Sequence, residues 1–189
     1  KVEPYREWCF KSIDLGIEEK HDLWNNVEYI DSKLKLLINS YQYLTKDVER
    51  EPVKITTYVE APPGSGLGSS SALVVALIAA IAEYYNVPLG EYDMAEYAIE
   101  IERKICDLPG GKQDQFAAAF GGFNFMEFLK DGRTIVNPLR LNQKTQNMME
   151  LSTVLYYVGK PRKDSRVIEN TAKGLVDSKT VLNATHEIR

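Results

Sequence analysis

Between Ala61 and Ala72 the chain reads Ala-Pro-Pro-Gly-Ser-Gly-Leu-Gly-Ser-Ser-Ser-Ala, with three glycines ahead of three consecutive serines. Glycine lets a backbone turn tightly and approach a ligand with no Cβ in the way. The serines stand where a helix is predicted to begin, and bare N–H groups and the dipole there favour anions. Such a loop can cradle phosphates. A helix cap needs only one hydroxyl, whereas several beside bare N–H groups suit a phosphate and its Mg²⁺. Two familiar phosphate motifs are excluded. No Lys follows the loop, so G-x-x-x-x-G-K-S/T fails. The third position of G-x-G-x-x-G holds Ser69, with Gly68 one residue early. The competing reading is a glycine-containing N-cap loop that holds no ligand.

A second constellation lies about thirty residues on. Glu100, Glu102 and Arg103 close a predicted helix, and Gly110-Gly111-Lys112-Gln113-Asp114-Gln115 opens the next. Beside bound phosphates, Glu102 can hold Mg²⁺ with a serine hydroxyl, because Mg²⁺ takes few carboxylates plus phosphate oxygens. Asp114 can accept a proton from an attacking hydroxyl. The alternatives are a solvated surface pair for Glu102 and Arg103, and a dipole-favoured acid at a helix start for Asp114. Lys112 reads as a solvated neighbour.

The elements that must position these residues follow from hydrophobic period. Leu23 to Leu44 carries apolar residues at three- and four-residue steps, which predicts an amphipathic helix. Val53 to Val59 alternates and is β-branched, a strand. Ala61 to Gly68 is a loop. Ser70 to Tyr85 is apolar on nearly every face and predicts a buried helix. Tyr92 to Ile105 predicts a helix with Met94, Tyr97, Ala98 and Ile101 inward, broken by Asp107 to Gly111. Gln113 to Phe120 predicts a short helix ended by Gly121-Gly122. Phe123 to Phe128 and Thr134 to Val136 predict a hairpin about Asp131-Gly132, which Pro138 to Leu141 extends or edges. Thr153 to Val158 predicts a strand, and Asp164 onward a helix. Interleaved strands and helices make the chain α+β or α/β. The polar stretch Gln143 to Met149 is the expected domain boundary.

Composition sets the outer limits. The chain has 189 residues, 44% hydrophobic and 26% charged, with a net charge of −4. That excludes a disordered tail or a disulfide scaffold. The acidic balance lacks the basic face that nucleic acid requires. The apolar run Leu73 to Ala82 falls short of the ~20 residues that cross a bilayer. Cys9 and Cys106 form no metal or redox spacing and read as free thiols of a cytoplasmic protein.

Taken together, the two constellations resemble the GHMP kinases, the galactokinase, homoserine, mevalonate and phosphomevalonate kinase superfamily. Pro62 to Ala72 looks like its phosphate loop, and Gly111 to Gln115 followed by Gly121-Gly122 looks like the segment with its catalytic aspartate. Gly110 to Phe128, Val136 to Leu141 and Ile101-Glu102-Arg103 narrow the likeness to the D-glycero-D-manno-heptose 7-phosphate kinases. The resemblance runs from about Thr57 to Asn170. It implies a two-domain α+β fold. A ribosomal-protein-S5-domain-2-like N-terminal domain would span residues 1–148, and a ferredoxin-like C-terminal domain would begin in residues 149–189.

The resemblance also implies roles. Pro63, Gly64, Ser65, Gly66, Leu67, Gly68, Ser69, Ser70 and Ser71 would hold the ATP phosphates. Ser70 and Glu102 would bind Mg²⁺, and Asp114 would be the catalytic base. Gly111, Arg162 and Ser165 would contact the sugar phosphate, with Arg162 or Arg166 paired to its phosphate. The implied reaction moves the γ-phosphoryl of ATP to the C1 hydroxyl of a heptose 7-phosphate. The implied protein is a cytoplasmic monomer or homodimer that engages neither nucleic acid nor membrane. Rival readings are a fucokinase- or galactokinase-like enzyme, a non-catalytic sugar or nucleotide sensor on the same fold, and a dinucleotide-binding module. The family's first sugar-binding motif and its third, glycine-rich motif do not appear. Both ends read as cut, so an intact member is expected to be longer.

Overall fold

A computed structural model describes residues 1–24, 30–62 and 65–156. Its elements in chain order begin with β1 (Val2–Pro4), β2 (Trp8–Ser12), β3 (Ile17–His21), α1 (Lys35–Leu44), β4 (Val53–Thr57) and α2 (Ser69–Tyr84). There follow α3 (Glu91–Ile99), a π turn (Glu100–Ile105), α4 (Gln113–Phe120), β5 (Asn124–Phe128), β6 (Thr134–Pro138) and α5 (Gln143–Ser152). The chain is α+β, one of the two classes the pattern left open and the one the resemblance implied.

Four strands form one sheet in the order β1-β4-β2-β3. β2 and β4 are parallel neighbours, with Phe10 opposite Ile55, and the other two pairings are antiparallel. In β4, Val53, Ile55 and Thr57 are buried while Lys54 and Thr56 are less so, the period-2 signature that made this strand legible. The three strands before Leu23 were not foreseen. β2 buries Trp8, Cys9 and Phe10 in succession, so its sequence carries no alternation to read.

The core lies between this sheet and helices α1 and α2. Trp8, Phe10 and Ile55 from the sheet meet Leu37, Ile38 and Tyr41 of α1 and Val74, Ile78 and Ile81 of α2. A smaller cluster of Ala95, Ile99, Phe116 and Val136 joins α3, α4 and the hairpin.

Three expectations are corrected. The helix predicted from Leu23 begins only at Lys35. Ile30 instead lies across it, with its N–H donating to Asn39 Oδ1 at 2.8 Å and its carbonyl accepting from Asn39 Nδ2 at 3.1 Å. Leu23 is fully buried without being helical, so core burial rather than helix imposed the apolar spacing upstream. The helix α2 is not buried all round. It exposes Ala72, Ala76 and Ala79, which lose little by facing water. Finally, Thr153 to Tyr156 forms no strand; it is exposed and pairs with no strand among the described residues, and Tyr157 and Val158 lie outside them.

The short helix at Gln113–Phe120 and the hairpin turn match the sequence reading closely. Gly121 ends α4 at φ 61°, and Gly132 takes φ 91° in the β5–β6 turn. The stretch from Gln143, read as a boundary, folds as α5, whose N-cap Asn142 Oδ1 accepts from the Thr145 N–H at 2.9 Å. No residue of α5 is buried.

Candidate active site

β4 delivers the chain into the glycine loop, and α2 begins directly behind it. Gly68 is the N-cap of α2 with φ 69°, a left-handed conformation that L side chains rarely adopt. A Cβ built on Gly68 would lie 3.1 Å from Asp114 Cγ and 3.3 Å from its Oδ2. The backbone of the loop thus sits close against the Asp114 carboxyl, which a Cβ at Gly68 would push aside by a few tenths of an ångström. Gly66 also takes a positive φ, 78°, but in open space. Leu67 is exposed, while Ser71 is buried in the first turn of α2.

Ser70 and Glu102 meet. The Ser70 hydroxyl donates to Glu102 Oε1 at 2.7 Å, across 32 positions of sequence. Glu102 is only 1% exposed, so the surface-pair reading does not hold for it. Its Oε2 accepts from Gln115 Nε2 at 2.5 Å. Both carboxylate oxygens are therefore satisfied by donors, which is what a buried charge requires.

The backbone around Glu102 is unusual. After Ile99 the helix widens into a π turn, in which the Cys106 N–H reaches the Ile101 carbonyl at 2.8 Å. Ile101 and Glu102 are both buried there. Ile101 joins the main core, and Glu102 faces α2 and α4. Such turns recur at functional sites, and no residue type in the sequence announces one.

Arg103 is mostly buried too, and its Nη2 lies 4.0 Å from Glu102 Oε2, a long ion pair. Its Nε and Nη2 donate to the Gly111 carbonyl at 3.2 and 3.0 Å, and its Nη1 to the carbonyls of Leu108 and Pro109 at 3.0 and 3.4 Å. The guanidinium fork ties down the loop that leads into α4. Gly110, at φ +154°, lies so close that a Cβ would come within 2.8 Å of Arg103 Nη2. Lys112 donates to the Gly132 carbonyl at 3.2 Å and so braces the start of α4 against the hairpin turn.

The structure thus brings together Gly68, Ser70, Glu102, Asp114 and Gln115, from three separate stretches of chain. Gly111 stands at the entry to α4, with its carbonyl held by Arg103. Pro63 and Gly64 in the loop, and Arg162, Ser165 and Arg166, lie outside the described residues. Gln115 and the loop-holding role of Arg103 escaped the sequence reading. The signal for Gln115 was its place beside Asp114 at the start of a helix, where neighbouring side chains point to different faces.

The donor set fits Mg²⁺. One hydroxyl and one carboxylate, 2.7 Å apart and both oxygen, match an ion that takes few protein ligands and leaves the rest to phosphate and water. Among the described residues no cluster of three or more His, Cys, Asp or Glu offers a more enclosed cage. Cys9 and Cys106 are free and buried, as expected. Burial pushes the Cys106 thiol above its ordinary value, which makes it a poor nucleophile and ligand. No described helix is long and apolar enough to cross a membrane.

Residues 33–122 match the family described as GHMP kinases N terminal domain. The chain is 45% identical over 161 residues to D-glycero-alpha-D-manno-heptose 7-phosphate kinase of Campylobacter jejuni, covering 84% of this chain and 47% of that protein. It superposes with a TM-score of 0.70 on a D-glycero-D-manno-heptose 1-phosphate kinase from Bacteriodes thetaiotaomicron, at 34% identity, covering 93% of this chain and 58% of the other. A sugar kinase candidate from Campylobacter jejuni also gives 0.70, at 35% identity, over 99% of this chain and 59% of the other. The chain therefore spans roughly half the length of the relatives it matches.

Proposed function

Because this chain belongs to the GHMP kinases through its N-terminal domain, we propose that the whole protein is an ATP-dependent sugar-phosphate kinase. Its acceptor is D-glycero-D-manno-heptose 7-phosphate and its product the 1,7-bisphosphate. The observation that carries this reading is the contact of Gly68 with Asp114. It sets a phosphate-type loop and a carboxylate base side by side, with the Ser70–Glu102 pair behind them.

In this mechanism the N–H groups at the start of α2 and the loop hold the ATP phosphates. Ser70 Oγ and Glu102 Oε1 hold Mg²⁺, which when bound neutralises charge on the phosphates. Asp114 accepts the proton of the C1 hydroxyl as its oxygen bonds to the γ-phosphorus. The bond from the γ-phosphorus to the β–γ bridging oxygen breaks, and ADP leaves. Catalysis is mostly positioning and charge stabilisation, as expected for phosphoryl transfer. Gly111 and Ser165 would border the acceptor, and Arg162 or Arg166 would pair with its existing phosphate. The protein works in the cytoplasm as a monomer or homodimer, on small molecules alone.

The two named relatives differ in where the acceptor phosphate sits. The test is therefore a panel of heptose 7-phosphate, heptose 1-phosphate, galactose and fucose with ATP. ADP release is coupled to detection, and the product is assigned by phosphorus NMR. Turnover greatest on the 7-phosphate, with a new anomeric phosphate, is expected. Asp114→Asn should lower kcat by about 10²- to 10⁴-fold while nucleotide binding persists. Near-normal turnover in that variant would sink the base assignment.

A further inference from the structure

We propose that Gln115 is a positioning residue for Glu102, one that fixes the rotation of the carboxylate and so sets the affinity of the site for its divalent cation. This rests on the kinase reading above, because the cation is the one that accompanies the nucleotide. Four observations support it.

First, the contact is buried and specific. Gln115 is 0% exposed, Glu102 is 1% exposed, and the Gln115 amide donates to Glu102 Oε2. Second, the two carboxylate oxygens are held from different sides. Ser70, at the edge of the loop, engages Oε1. Oε2 takes its hydrogen bond from Gln115 behind it, with Arg103 Nη2 farther off at 4.0 Å, and Oε1 stays turned toward the loop, where phosphates and a cation would sit. Third, Gln115 has its other end unserved. Its Oε1 is buried without a hydrogen-bond partner among the described residues. A leucine in this place would leave no such orphan, so packing alone does not account for an amide here. Turning the amide over would set its oxygen against the carboxylate, so the bond to Glu102 determines its orientation. Fourth, Gln115 adjoins Asp114 on α4. One helix therefore carries both the base that meets Gly68 and the brace behind the cation ligand, and the two halves of the site are held in a common frame.

The experiment uses the intact protein with Mn²⁺ as the spectroscopic stand-in for Mg²⁺. Mn²⁺ binding in the presence of ADP is measured by electron paramagnetic resonance for wild type, Gln115→Leu and Gln115→Met. The second variant keeps the length and flexibility of the side chain while removing the donor, and so covers a folding failure of the first. Residues that orient metal ligands typically change affinity by about 10- to 100-fold, and a loss of that size is expected in both variants. The Mg²⁺ concentration for half-maximal turnover should rise in parallel, and saturating Mg²⁺ should restore most of kcat. A packing defect would not be rescued by the ion. Unchanged Mn²⁺ affinity in a folded variant would overturn the role of Gln115 and leave the kinase reading standing. A kcat loss that Mg²⁺ does not restore, with Mn²⁺ affinity intact, would do the same. Wild-type protein that binds no Mn²⁺ with ADP would overturn both.

Discussion

At the residue scale, the site depends on a few positions where only one side chain fits. Gly68 is one of them. Its left-handed backbone and the nearness of Asp114 Cγ act together. Gly68→Ala should cost about 1–2 kcal/mol for the left-handed conformation, read by chemical denaturation. It should also push the Asp114 carboxyl a few tenths of an ångström aside. If Asp114 is the base proposed above, small misplacements there are expensive, and kcat should fall by up to about 100-fold with little change in nucleotide affinity. A variant that keeps full kcat would mean that Asp114 can move away without consequence. Glu102 shows the opposite side of residue-scale reasoning. Its type and position suggested a metal ligand, but an isolated Glu on a helix is usually solvated. Its burial, with Ser70 on one oxygen and Gln115 on the other, removes the solvated reading and leaves the ligand role as the proposal made above.

At the scale of elements, the decisive parts are the loop-to-helix junctions at α2 and α4. The first was legible because a β-branched alternating strand, a glycine loop and a long apolar helix succeed one another. The second was legible in outline, since Gln113 to Phe120 is flanked by glycines at both ends. What holds it was not. The loop before α4 is tied by Arg103 through carbonyls of Leu108, Pro109 and Gly111. Hydrogen bonds to a charged group contribute about 1.5–3 kcal/mol, so Arg103→Ala should lose stability in that range. Arg103→Lys should recover little of it, because an ammonium cannot reproduce the planar fork. Hydrogen exchange should show faster opening around Gly110 to Asp114 in both variants, and protection equal to wild type would refute the tether. The amphipathic stretch from Leu23 illustrates how period misleads. Ile30 packs against the core beside α1 without being part of it, held there by Asn39.

For the whole molecule, one hydroxyl links most of the N-terminal core. Tyr41 of α1 accepts from Trp8 Nε1 of β2 at 2.9 Å and donates to the Glu51 carbonyl ahead of β4 at 2.9 Å. It shares a third bond of 2.9 Å with the hydroxyl of Tyr85, just past α2. Burial, and next the Tyr85 hydroxyl, push the Tyr41 phenol well above its ordinary value of 10.0. The folded protein therefore binds this proton more tightly than the unfolded chain. Its stabilisation is complete below pH ~10 and is lost as pH rises beyond. Tyr41→Phe should cost about 1–3 kcal/mol at neutral pH, because the Trp8 N–H loses its buried partner. It should also make the alkaline decline shallower. Denaturation curves at neutral and alkaline pH measure both, and an unchanged alkaline slope would count against this account. The amino-acid sequence by itself determined a mixed helix-and-strand class, the strand–loop–helix that carries the serines, the short helix with Asp114 and the hairpin beyond it. Those features are written in local period and in glycine placement, which act over a few residues. Only the tertiary structure decided the early strands, the π turn, the burial of Glu102 and the clasp of Gln115 and Arg103 on their partners. Each of those depends on which groups share a buried space, and a buried charge must find its donors wherever the fold brings them, however distant in sequence.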